Sequence, residues 1–205
     1  MGSKEARESR QRRVAEMRRA QERRERRRIL TWVAVAVVAV LAVAGGITWA
    51  VISSNAGPSP LAAVKTFSVK SRNHTTAKVS YPQTPPVGGN HAQTWLNCGV
   101  YSTPVPNENA VHDLEHGAVW VTYRSGLPAA QVDRIRRLAA GQTHVTVSPY
   151  PGLPAPVVAS AWGVQLRVSK ASDPRLAQFV AKYEQGPQTP EPGATCTGGV
   201  GTPST

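Results

Sequence analysis

Val111-His112-Asp113-Leu114-Glu115-His116-Gly117 is the one short stretch of this chain in which coordination and acid-base chemistry are concentrated. Its pattern, H-x-x-E-H, supplies two imidazole ligands and a catalytic carboxylate in some zinc peptidases. Along a helix, positions 112 and 116 lie one turn apart on one face; along a strand, 112, 114 and 116 share a face. Both conformations bring the two rings to one side, so a two-histidine ligand pair is easy to build. His91, at the end of a glycine-rich loop, is the candidate third ligand, and His74 is a candidate fourth. Three imidazoles with one open position suit zinc, and nitrogen-rich sites also suit copper. Neutral imidazole near pH 7 binds without first giving up a proton. Glu115 and Asn90 stand beside these histidines as a further ligand or as hydrogen-bonding partners of the ligands. In a helix Glu115 stays close to the site, and in a strand it points away.

The wider sequence weakens the peptidase reading. Such enzymes place the motif in a long helix and draw a further carboxylate from far downstream. Here Gly117 and the apolar run Ala118 to Tyr123 follow at once, and Glu184 and Glu191 are the downstream candidates. No G-x-S-x-G elbow is present. Two readings therefore stand open: a metal held by His91, His112 and His116 at a loop and strand edge, or a hydrogen-bonded knot of Asn90, His91, His112, Glu115 and His116. In the second case the domain is a non-enzymatic module that docks to another envelope protein.

The elements that must position these residues are legible in part. Tyr81 to His91 packs prolines and glycines too densely for a helix or a central strand. Ala118 to Tyr123 is a β-branched and aromatic run bounded by Gly117 and Gly126, which predicts a buried strand. Pro128 suits a helix start; Val132, Ile135, Leu138 and Ala139 recur at helical spacing, and Gly141 ends the run. His144 to Ser148 and Val157 to Val168 are the next predicted strands. Asp173 caps a last helix with Pro174 in its first position and Leu176, Phe179, Val180 and Tyr183 on one face. The order β-α-β-β-α predicts an α+β fold, a small and mostly antiparallel sheet covered by helices.

Location follows from a second pattern. Ile29 to Ile52 carries no charge, and a helix needs roughly 20 such residues to cross a bilayer core. Trp32 and Trp49 sit near its ends, where aromatic rings favour the interface. Before it, residues 1–28 hold five glutamates and more than twice as many basic residues, so this tail is expected in the cytoplasm, drawn to anionic membrane lipid. The tail carries most of the formal net charge of +12. No stacking platform or reading motif accompanies that charge, and nucleic-acid binding is not expected. The expected plan is a cytoplasmic tail (1–28), a single membrane span (29–52), a linker (53–66), an extracytoplasmic domain (67–193) and a tail (194–205). Cys98 and Cys196, the two cysteines, both fall outside the membrane and can form a disulfide there; a thiolate metal site has no C-x-x-C spacing behind it. Beyond Cys196 the loss of apolar periodicity predicts disorder.

Several blocks together resemble a known family. Gly88-Gly89-Asn90-His91, Trp95, Cys98-Gly99-Val100-Tyr101, His112 to Gly117, Ser148-Pro149-Tyr150-Pro151 and Ala161-Trp162-Gly163 look like the signature blocks of the domain of unknown function 3105 family, over roughly Phe67 to Gly186. The resemblance implies a domain found behind a single membrane anchor. It marks Asn90-His91 and His112 to Gly117 as motif positions and assigns them no role.

Overall fold

The computed structural model describes Trp32 and residues 61–204. The chain divides into two units, Met1–Gly57 and Pro58–Thr205, and the strands and helices below belong to the second. Apart from Trp32, the expected tail and membrane span lie outside the described residues. Among the described residues no helix is long and apolar enough to cross a membrane.

One sheet is built from β1 (Lys65–Thr66), β2 (Val119–Tyr123), β3 (Val145–Pro149), β4 (Val157–Ala161) and β5 (Val164–Val168), with helices α1 (Asn107–Glu115), α2 (Ala129–Arg136) and α3 (Pro174–Tyr183). The strand order is β1-β5-β4-β2-β3. Three of the four pairings are antiparallel. The parallel pair is β2–β3, from Val119 opposite Val145 to Tyr123 opposite Pro149, and α2 supplies the crossover that a parallel pair requires.

Four of the strands are buried almost throughout because both sheet faces are covered. On one face Val121, Val147, Ala159 and Leu166 meet Ile135 of α2 and Leu176, Phe179 and Val180 of α3. Asp173 caps α3 as predicted, accepting from Arg175 N at 3.0 Å. The other face is polar yet buried. There Trp120 packs on Ala110 and Leu114 of α1 and donates to Ser148 Oγ at 2.9 Å, while Gln165 donates to Pro85 O at 3.0 Å. The irregular stretch 67–106 and α1 together roof this polar face.

Four expectations are corrected. Val157 to Val168 is two strands, because Gly163, at φ 70°, lets the chain turn at Trp162-Gly163 and pair Ala161 with Val164. α2 stops at Arg136 and not near Gly141, since the N–H groups of Leu138, Ala139 and Ala140 reach back only three residues. The folded part begins before Phe67: Leu61 and Val64 pack on the core, and Lys65 pairs with Gln165. Finally, 197–204 is ordered. The Cys98–Cys196 disulfide, with Cα atoms 5.3 Å apart, sets this segment beside 95–100, where Val200 N donates to Trp95 O at 2.9 Å and Ser204 N to Val100 O at 2.6 Å. Backbone pairing, which needs no apolar period, holds it there. Val100 in turn bridges to Val147 and covers the edge of β3.

The disulfide closes a loop with a sequence separation of 98. Its reduction is expected to lower the free energy of unfolding by about 4–5 kcal/mol and to open 197–204 to protease. Urea titration with and without dithiothreitol, followed by mass spectrometry of the cleavage products, measures both effects.

Candidate metal centre

The H-x-x-E-H stretch lies on α1, not on a loop and strand edge. Its six residues from Ala110 to Glu115 are all buried, polar and apolar alike. Ala110 and Leu114 make the apolar side against Trp120, leaving His112 and Glu115, at i and i+3, to share another side. Gly117 ends the helix at φ 96°. Its N–H donates to Leu114 O at 3.1 Å and that of Ala118 to Asp113 O at 2.8 Å, the paired bonds of a Schellman turn. A Cβ at this glycine would stand 2.9 Å from Thr189 Oγ1, so a larger residue would be strained and would have to displace Thr189.

The stretch 67–106 brings two more histidines to α1. His74 and His91 form an isolated bridge, in which Thr75 N donates to His91 O at 2.7 Å and His91 N to Asn73 O at 3.2 Å. Asn90 points to this loop and not to the histidine rings: its Oδ1 accepts from Asn73 N at 3.0 Å and from Ser71 Oγ. It therefore fixes the segment that carries His74.

One donor atom from each of His74, His91, His112 and Glu115 lies within 4.8 Å of the other three. In a tetrahedral zinc site neighbouring donors stand about 3.3 Å apart, given bonds of about 2.0 Å, so an ion would draw these donors together by up to about 1.5 Å. Ring orientation favours this. His91 Nδ1 lies 2.8 Å from Gly89 O and His112 Nδ1 2.7 Å from Ala92 O. A carbonyl only accepts, which assigns the proton to Nδ1 in each ring and leaves Nε2 with its lone pair. Carbonyl-tethered imidazoles of this kind are the usual supporting arrangement of metal-bound histidine.

The His91–Glu115 contact is the least conventional. His91 Nε2 is 2.9 Å from Glu115 Oε2, yet the approach lacks hydrogen-bond alignment and the buried nitrogen has no other partner. The nitrogen and the carboxylate are thus close without satisfying one another. Glu115 Oε1 is 3.8 Å from Arg72 Nη1, a loose pair with a half-exposed guanidinium. Burial pushes the His112 pKa down to about 4; repulsion from His116, His91 and His74 adds to this, and the Ala92 carbonyl bond opposes it. His112 is neutral at pH 7.

His116, expected as a ligand, stands outside this set. Its Nδ1 lies 2.7 Å from Thr195 O and its Nε2 3.7 Å from Glu191 Oε2. One helical turn, about 5.4 Å along the axis, carries it past the site toward the C-terminal segment. Its ring still touches that of His112, centroids 4.5 Å apart, and Trp95 lies against both. A second cluster, Cys98, Asp113 and Cys196, has its sulfurs joined in the disulfide and offers no thiolate. His144, buried apart from the centre, is bonded to Ala194 O at 2.9 Å.

Residues 73–198 match the family model described as Protein of unknown function (DUF3105). The chain belongs to this family. The matched residues include all four clustered donors and both cysteines; the signature blocks hold three of those donors and Cys98, and the match runs past Gly186 to take in Cys196. Residues 29–52 lie outside it. No curated protein and no solved structure matches the chain. Sequence reasoning did not identify the carbonyls of Gly89 and Ala92, Arg72 beside Glu115, or Trp95 against the rings. The i, i+3 spacing of His112 and Glu115 was the one signal that put the carboxylate in the site.

Next to the centre, Asp113 accepts from Leu96 N at 2.9 Å and from Thr146 Oγ1 at 3.4 Å. Burial raises its pKa well above the usual carboxylate range, against the lowering effect of those bonds. A pKa raised by folding contributes stability below the unfolded value of about 3.9 and loses it as pH rises through the folded value. Asp113→Asn, which cannot ionise, is therefore expected to gain stability relative to the parent as pH rises from about 4. Asp113→Ala should lose about 1–3 kcal/mol by leaving Leu96 N unpaired. Urea titrations across pH check both; a pH-independent difference for the Asn variant would contradict a carboxyl whose pKa burial raises.

Proposed function

We propose that this protein is a single-pass membrane protein whose outer domain holds one divalent transition-metal ion, zinc or copper, through His74, His91, His112 and Glu115. The observation that carries the metal is the His91 Nε2, fully buried, unpartnered in any aligned hydrogen bond among the described residues, and gathered with donors of His74, His112 and Glu115 within 4.8 Å. A structural knot would satisfy that atom, whereas an ion would use it. Three imidazoles with a carboxylate and no sulfur donor suit Zn(II) or Cu(II) better than Cu(I), which favours thiolate and thioether. The uncharged run 29–52 behind a basic tail supports the anchor, and an outer location agrees with the disulfide.

The full chain, purified in detergent, loaded with Zn(II) or Cu(II) and dialysed, is expected to retain one ion per chain by elemental analysis. His91→Ala and His112→Ala are expected to bind about 100-fold or more weakly, beyond the loss from removing an outer partner alone. His116→Ala should retain the ion. Negligible metal in parent and variants alike would sink the proposal and leave the docking module for another envelope protein as the better reading. Topology is tested separately by protease added to intact cells, which is expected to reach the C-terminal domain.

A further inference from the structure

Taking the metal reading as its basis, the geometry points to His74 as the displaceable ligand: the ion leaves the site when an acceptor imidazole replaces His74, so the domain passes metal on rather than locking it in. The four donors differ sharply in their surroundings. His91, His112 and Glu115 are 0%, 3% and 2% exposed, whereas His74 is exposed. His91 and His112 have Nδ1 tied to carbonyls; among the described residues neither ring nitrogen of His74 is hydrogen-bonded. Its ring is held only by stacking, at 5.0 Å on His112 and 4.9 Å edge-on to His91.

The backbone beneath that ring is, by contrast, fixed. The pairing of Asn73 and Thr75 with His91 and the Asn90 Oδ1 bond to Asn73 N keep the loop in place. The ring therefore swings by side-chain rotation without opening the loop. Exchange is then a ligand substitution: the acceptor's neutral imidazole nitrogen forms a bond to the ion, the His74 bond breaks, and no electron or proton changes hands. The three buried donors follow, their side of the ion being closed to solvent. A partner that receives the ion in this way presents a histidine at its surface, small enough in its approach to reach the ion over the His74 loop.

The test uses the full chain in detergent, loaded with Zn(II), with imidazole as the probe and a pyridylazo chelator as the final sink. In the parent protein the release rate is expected to rise with imidazole concentration. His74→Ala, at an exposed position, is expected to keep its ion through dialysis but to release it about tenfold or more faster, at or beyond the effect of losing an outer partner, with most of the imidazole dependence gone. Circular dichroism and the intact disulfide confirm its fold. Equal rates and equal imidazole dependence in parent and variant would overturn the inference, as would a His74→Ala chain that keeps no ion, since His74 is then a core ligand; in both cases the metal reading survives. A parent chain that holds no ion removes the metal reading itself.

Discussion

Burial of a short polar helix is the constraint on which the domain turns. α1 has six consecutive buried residues, and three of them, His112, Asp113 and Glu115, carry polar side chains. A buried polar group without a partner costs about 1–3 kcal/mol, so each side of the helix dictates what must pack on it. The apolar side calls for Trp120 of the sheet. The Asp113 side calls for the backbone of Leu96 and the hydroxyl of Thr146, and so fixes the segment that carries Cys98. The His112 and Glu115 side calls for the loop that brings His74 and His91. Glu108, one turn earlier, accepts from Val79 N at 3.0 Å and gathers the same stretch from its other end.

This explains why a segment so rich in proline and glycine is ordered. The stretch 67–106 has little regular structure, yet its backbone groups are taken up by specific side chains and carbonyls around α1. The sheet beneath is two-faced for the same reason. Its other face is built mostly from Val, Leu and Ala; the face under α1 is built from Thr, Ser, Gln and Trp, matched to one another within the sheet or, for Gln165 and Thr146, to partners in the roof.

Local patterns were readable in the sequence where local physics decides. The Asp173 cap and the Leu176, Phe179, Val180 face announced α3, and the β-branched run announced β2. The paired cysteines followed from count and location. The family was visible because its blocks are separate and ordered. What escaped was set by contacts distant in sequence. Val157 to Val168 looks continuous because Trp162 is apolar, and only the turn at Gly163 divides it. The order of 197–204 depends on backbone pairing with residues about a hundred positions away, which no periodicity encodes. The place of His116 outside the cluster, which gathers His74 and Glu115, both named as further candidates, with His91 and His112, is of the same kind. Spacing put His112 and His116 on one face, but the bridge between His74 and His91 decided which side of His112 would be crowded with donors.

The pairing of 95–100 with 196–204 also makes one edge of the fold depend on contacts remote in sequence. Trp95 bonds to Thr197 and Asn97 to Gly199 and Gly201, 102 to 104 residues later in the chain, and Thr195, which holds His116, lies 79 residues beyond it. Contacts this remote in sequence slow folding. The β4–β5 hairpin, closed at Trp162-Gly163, is by contrast local in sequence, so it is expected to form well before the outer strip of 197–204 closes over 95–100.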